Sequence, residues 1–339
     1  MTTSLVIQTS FLGDMVLTTP LIAYLAERGP VDVVATPAAS ELLAGNPGVR
    51  ERIVYDKRRT DRGLRGFLRL SKLLRARGYD AVYLAQGSAR SGAIAVAAGV
   101  DDRVGFATSA GRAFYTTRIS PVGDMHHAAR LLALGTRDPG CAFTRAQVRP
   151  RLYPGDTERT QVNALLASDG AAGDRLFALA PGSVWATKRW PHFAVVAEAL
   201  ARDGRVVVIG GEADRALADE ILDATSGQAI DATGKLSLLA SAELIRRSAM
   251  LVTNDSSPLH LASAMNTPTV AVFGPTVPRF GFGPLSDHFE IAEHKDLECR
   301  PCDRHGPMRC PLGHWRCMRE ITADTVLSLV RGVLTSRNS

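Results

Sequence analysis

Three segments concentrate side chains able to do chemistry. The first is Phe11-Leu-Gly13-Asp14-Met-Val-Leu-Thr18-Thr19-Pro20. Gly13 permits a tight turn and close approach of a ligand. Asp14 follows near the start of a helix, where a carboxylate has two uses. It can cap the helix, or act as a base facing a ligand, its ionised form favoured by the helix dipole. The pattern G-x-G-x-x-G is absent, which argues against a nicotinamide dehydrogenase. The second segment is Ala180-Pro-Gly182-Ser183-Val-Trp-Ala-Thr187-Lys188-Arg189-Trp190-Pro191. Backbone amides, hydroxyls and two adjacent cations suit a diphosphate, but the spacing is not that of a Walker A loop. The alternative has Lys188 and Arg189 solvated and Trp190 packed beneath a helix. The third segment is Val252-Thr-Asn254-Asp255-Ser256-Ser257-Pro258-Leu-His260. Asp255 or Ser256 caps a helix with Pro258 in its first turn, and the same groups form an anion site. Gly274-Pro-Thr276 supplies one more loop after the next strand.

The elements that must position these segments are strands and helices in alternation. Apolar runs at 4–8, 31–35 and 81–85 read as strands, and helical spacing covers 15–28 and 62–78. After proline-rich linker chemistry near 150 the alternation restarts. Strands fall at 176–179, 205–209, 250–253 and 269–273. Helices fall at 158–168, 192–202, 214–224, 241–247 and 257–265. Such βα alternation predicts parallel sheets with helices on both faces. The expected architecture is α/β: two Rossmann-like doubly wound domains facing a central cleft. They span residues 1–155 and 156–322. A helix at 323–339 is expected to pack back on the first domain.

The chain has 339 residues, 45% of them hydrophobic and 22% charged, which excludes a disordered chain or a fibre. No run approaches the roughly 18–20 apolar residues of a membrane span. Residues 1–10 lack the layout of a secretory signal, so the expectation is cytoplasmic. The net charge is +6, from 40 Lys+Arg against 34 Asp+Glu, and favours anionic partners. Much of the excess is local. From Arg50 to Arg77 there are eleven basic residues and three acids, Glu51, Asp56 and Asp61. This reads as a solvated helix face or as a dock for an anionic substrate. Nothing in the segment has the aromatic interleaving of a nucleic-acid binder, so nucleic acid is not an expected partner. Cys299, Cys302, Cys310 and Cys317 form a second local cluster, with His305 and His314 nearby. Four thiolates at this spacing suit a structural zinc. Free thiols or disulfides are the alternatives.

Taken in order, the three segments and Val272-Phe-Gly274-Pro-Thr276 resemble glycosyltransferase family 9, the heptosyltransferases, over nearly the whole chain. The cysteine segment resembles the branch that adds the second inner-core heptose of lipopolysaccharide. The resemblance implies the GT-B fold. It implies inverting transfer from ADP-heptose to a heptosyl-Kdo2-lipid A acceptor at the inner leaflet, with no cofactor or essential metal. Peripheral membrane contact would follow. Asp14 would be the base, Lys188 would neutralise the departing ADP, and Gly13 would admit the donor closely. Ser183 and Thr187 would donate to phosphate or sugar. Asp255, Ser256, Ser257 and His260 would hold the diphosphate and heptose. In Gly210-Gly211-Glu212-Ala-Asp214, spacing favours Asp214 over Glu212 for the ribose, and Leu236 would pack on the adenine. Arg58, Arg59 and Arg62 would meet the acceptor's anionic groups. Ser257 and Pro258 depart from the family's usual residues after Asp255-Ser256. A family 9 enzyme with another donor or acceptor, and a non-catalytic nucleotide-sugar binder, are the alternatives.

Overall fold

Parallel strands covered on both faces read as continuous apolar runs, and the central strands here are buried at every position. The computed structural model describes residues 2–120 and 124–338. It divides after Tyr153 into two units.

The first unit runs β1 (Ser4–Gln8), α1 (Leu12–Ala26), β2 (Val31–Ala35), α2 (Pro37–Leu42), β3 (Glu51–Val54) and α3 (Gly63–Arg77). It continues with β4 (Ala81–Leu84), α4 (Ala89–Ala97), β5 (Asp102–Phe106), β6 (Thr117–Ile119), α5 (His127–Thr136) and α6 (Arg145–Val148). Its parallel sheet has the order β3-β2-β1-β4-β5-β6. Leu5, Ile7, Val34, Val82 and Leu84 form its core with Leu70 and Leu74 of α3.

The second unit opens with α7 (Asp156–Ser168), β7 (Leu176–Ala180), α8 (Phe193–Leu200), β8 (Arg205–Val208), α9 (Arg215–Ala224) and β9 (Ile230–Asp231). Then come α10 (Leu238–Arg247), β10 (Met250–Asn254), α11 (Ser257–Met265), β11 (Thr269–Phe273), β12 (Phe289–Glu293), α12 (Arg316–Arg319) and α13 (Ala323–Asn338). Its order is β12-β11-β10-β7-β8-β9, again all parallel. Read from the other edge, this is the first unit's order repeated.

In each sheet the strand order reverses direction at one place, β1/β4 in the first and β7/β10 in the second. Ligands of open α/β sheets bind outside the carboxyl ends of strands at this switch point. The Asp14 segment follows β1, the Lys188 segment follows β7 and the Asp255 segment follows β10. All three chemical segments therefore lie at a switch point of their own sheet.

Two expectations change. The helix α13 belongs to the second unit. Its Val326, Val330 and Val333 join Trp190, Phe193 and Val196 in that core, so its apolar stripe is already covered there. The first helix begins at Leu12, three residues earlier than its apolar spacing suggests. Gly13 and Asp14 are thus inside its first turn and not before it. The edge strands β3, β6 and β12, and β5 next to the edge, carry charged or half-exposed residues and lack the apolar signature of the central ones.

Candidate active site

In the first unit, β1 ends at Gln8 and the chain turns into α1 over three residues. Asp14 is the third helical residue, and its side chain folds back over this turn. The Ser10 hydroxyl donates to Asp14 Oδ2 at 2.6 Å, and the Phe11 amide reaches the same oxygen at 3.4 Å. The other oxygen, Oδ1, lies 3.7 Å from Nε2 of His127, the first residue of α5; both side chains are 18% exposed. Capping and chemistry are thus compatible: Oδ2 serves the helix start, while Oδ1 keeps a lone pair for a proton. Lys57 braces the turn from below, its Nζ donating to the Thr9 carbonyl at 2.7 Å. Burial, with Arg58 and Arg90 adding repulsion, holds the Lys57 ammonium below its ordinary pKa.

The basic segment precedes α3. Asp56 Oδ1 accepts the backbone amides of Arg58 and Arg59 at 3.3 and 3.1 Å. This tight turn leaves the side chains of Arg58 and Arg59 exposed, as is Arg62 at the start of α3.

In the second unit, register places Ala180 of β7 beside Thr253 of β10, so the two loops that follow are neighbours. The Asn254 amide stitches them, donating to the Pro181 carbonyl at 2.7 Å and accepting the Trp190 amide at 3.2 Å. Lys188 Nζ donates to Asp255 Oδ2 at 2.6 Å, with side chains only 8% and 9% exposed. The Thr276 hydroxyl donates to the same oxygen at 2.6 Å. In this structure Asp255 holds Lys188, and a carboxylate can meet a sugar hydroxyl but not donate to a phosphate. Trp190 is buried, with its indole N–H on the Ile321 carbonyl at 2.8 Å. Arg189 turns inward to the Ser183 carbonyl at 2.9 Å.

Ser183 is buried; Ser256 and Ser257 are half-buried at the start of α11, where backbone amides favour anions. His260, one turn on, is buried with its ring 6.2 Å from that of Phe282.

The turn after β8 divides the two acids considered for the ribose. Asp214 accepts the Gly211 amide at 3.0 Å, and its carboxylate lies against Gly182, where an added Cβ would sit 2.4 Å from Asp214 Oδ1. Glu212 is 80% exposed beside Arg215, at 3.6 Å. Asp214 thus borders the Lys188 loop, and Glu212 points to solvent. Leu236 is half-buried just before α10.

The cysteine segment lies over the Lys188 loop. Thr187 donates to the Pro307 carbonyl, and Trp185 stacks on His305 with ring centroids 5.5 Å apart. At Gly306, with φ +87°, an added Cβ would sit 3.2 Å from Lys188 Cε. Arg300 fastens the segment to the loop after β11, donating to the Phe273 and Thr276 carbonyls at 3.1 and 2.9 Å. Cys299, Cys302, Cys310 and Cys317 are free thiols. Cys299 Sγ lies 3.9 Å from His314 Nε2. Among the described residues no three His, Cys, Asp or Glu side chains converge as metal ligands. Burial pushes the Cys317 thiol up to about 11.

Sequence reasoning missed Ser10 and His127, counted Lys57 only within the basic cluster, and placed Thr276 only in a nearby loop. Ser10 lies within one helical turn of Asp14, a signal that was available. His127 is 113 positions away along the chain, and only the packing of α5 on α1 makes it a neighbour.

Known proteins resemble this chain in sequence and in fold. The family model for glycosyltransferase family 9 (heptosyltransferase) matches residues 67–315. Lipooligosaccharide heptosyltransferase 2 of Haemophilus influenzae is 28% identical, over 97% of this chain and 99% of its own. Lipopolysaccharide heptosyltransferase 2 of Escherichia coli K12 is 30% identical, over 81% and 84%. The match to lipooligosaccharide heptosyltransferase 2 of Campylobacter jejuni is shorter, spanning 52% of that relative's length. Among solved structures, E. coli ADP-heptose lps heptosyltransferase II superposes with a TM-score of 0.79 at 25% identity, over 99% of this chain and 100% of that one. A family 9 glycosyl transferase from Veillonella parvula gives 0.84 at 23% identity, over 99% and 98%. With its two Rossmann-like sheets and its loops at their switch points, the chain belongs to glycosyltransferase family 9, the heptosyltransferases, and has their GT-B fold.

Proposed function

We propose that this protein is an inverting ADP-heptose:lipopolysaccharide heptosyltransferase that acts on a heptosyl-Kdo2-lipid A acceptor at the inner leaflet. The observation that carries the reading is the Asp14 carboxylate, anchored through Oδ2 by Ser10 with Oδ1 left to take a proton. The E. coli structure at 25% identity is described as an ADP-heptose enzyme, which supports the donor.

The step is a single displacement. An acceptor hydroxyl attacks the anomeric carbon of the donor and its proton passes to Asp14 Oδ1. A new C–O bond forms as the bond from the anomeric carbon to the diphosphate oxygen breaks. ADP leaves with the electron pair, so the configuration inverts. Charge growing on the diphosphate is met by Lys188 and by the backbone amides at the start of α11. Asp255 and Thr276 keep the Lys188 ammonium in place. This reading calls for no metal, because Lys188 supplies the charge at the leaving group. Ser183, Ser256 and Ser257 donate to the diphosphate, with Gly13 and His260 at the sugar. Asp214 is oriented toward the ribose and Leu236 toward the adenine. Arg58, Arg59 and Arg62 receive the acceptor's phosphates and carboxylates.

The test is ADP release from ADP-heptose, with and without heptosyl-Kdo2-lipid A, beside Asp14→Ala. Acceptor-dependent release, lost in the variant while ADP binding persists, supports both the reaction and the base. Full turnover by Asp14→Ala overturns the base. Donor binding with no release points to a different acceptor.

A further inference from the structure

We propose that the outer face of α3 is a membrane-docking surface for anionic phospholipid. The lipid-linked acceptor proposed above is what makes a bilayer, rather than another anion, the surface considered, and the inference rests on that reading to this extent.

The helix Gly63–Arg77 carries five cations and no acid. Its inner side is accounted for, since Leu70 and Leu74 are core and Phe67 and Leu73 pack against it. Its outer side is not polar, as a solvated helix face would be. Leu64 is 70% exposed and Leu68 56% exposed. Residues 64, 68 and 72 fall along one stripe of a helix, so Lys72 continues the line of the two leucines, with Arg65 alongside. Both cations are exposed. An apolar pair in a basic surround is the composition of helices that lie in a membrane interface.

The acids of this region do not neutralise the face. Asp56 is engaged by the amides of Arg58 and Arg59. Asp61 is buried and accepts Arg69 Nε at 2.8 Å. Glu51 takes Arg77 through Oε1 at 2.6 Å. Asp61 and Glu51 thus each pair with one cation of the helix, Arg69 and Arg77, and the remaining cations outnumber the acids, so the outward charge stays positive. The cations Arg58, Arg59 and Arg62 precede the helix and extend the basic surface from its N-terminal end. Such a surface complements a negative leaflet, while the two leucines fit the boundary between headgroups and acyl chains.

The experiment is vesicle flotation of the full chain, using phosphatidylethanolamine–phosphatidylglycerol vesicles that contain no glycolipid. Neutral phosphatidylcholine vesicles run in parallel. Expected is binding to the anionic vesicles alone, weakened by salt. The double variant R65E/K72E should lose affinity by about fivefold or more for each cation removed. L64S/L68S should keep the salt dependence but bind more weakly at every salt concentration. Circular dichroism confirms that both variants are folded. Equal flotation of wild type and both variants, or no flotation of wild type at low salt, overturns the proposal. So does self-association without vesicles that is lost in L64S/L68S, because it would assign the face to a second copy. Transfer to a deacylated, water-soluble acceptor should be unchanged in L64S/L68S. Failure of that transfer in wild type would remove the proposed reaction while leaving the vesicle result standing.

Discussion

Replacing Asp255 by Asn asks what the buried ion pair of the second unit contributes. In the native protein Lys188 Nζ lies 2.6 Å from Asp255 Oδ2, both side chains are under one-tenth exposed, and Thr276 donates to the same oxygen. Removing one partner of a buried pair leaves the other charge desolvated and costs about 3–5 kcal/mol. Asp255→Asn and Lys188→Met should each lose stability in that range. The double variant leaves no orphaned charge, and a buried pair replaced by neutral groups of similar size is close to neutral in stability. Its loss should therefore fall well short of the sum of the two single losses. Urea unfolding followed by tryptophan fluorescence is a suitable assay. All three tryptophans, Trp185, Trp190 and Trp315, lie in the second unit, so the signal reports that unit. Single losses under about 1 kcal/mol that add in the double variant would refute the reasoning, since that is the behaviour of a solvated pair.

Three further outcomes follow from the geometry. Gly182→Ala puts a Cβ 2.4 Å from the Asp214 carboxylate carbon, so the turn or Asp214 must move; a cost of about 1–3 kcal/mol and weaker ADP binding by calorimetry are expected. Acid should destabilise the protein. Burial alone would raise the carboxyls of Asp32 and Glu243, but Arg50 and Tyr79 on the first and Arg246 and Arg247 on the second hold them below their ordinary 3.8 and 4.5. A depressed native pKa contributes stability above the unfolded value and loses it as pH falls through the native one. The melting temperature should therefore drop below about pH 4.5, less steeply in Glu243→Gln. Finally, iodoacetamide with mass mapping should modify Cys310 well before Cys317. Burial works against the Cys310 thiolate, yet backbone amides from Leu312 to Trp315 bring its pKa below normal, whereas burial raises Cys317.

Local patterns in the sequence were enough for the alternation of elements. The reason is physical: a buried parallel strand must be apolar throughout, a helix must bury a stripe, and the turns between them draw on Gly, Pro, Asp and Ser. An edge strand such as β3 (Glu-Arg-Ile-Val) was not legible, because three of its four residues are exposed. The start of α1 was misplaced because Phe11, at the N-cap, has no capping group in its side chain.

Tertiary structure decided what each functional side chain meets. Lys188 and Asp255 are 67 positions apart, and only the pairing of β7 with β10 makes them partners. His127 reaches Asp14 because α5 packs on α1. The terminal helix joined the second core because valines at helical spacing found a cover there. A carboxylate read alone is an acid able to cap, bind or accept a proton, and a lysine read alone is a free cation. Desolvation and pairing select among those uses, and both arise from residues brought together by the fold, since sequence spacing limits contact only within one helical turn or one strand pair.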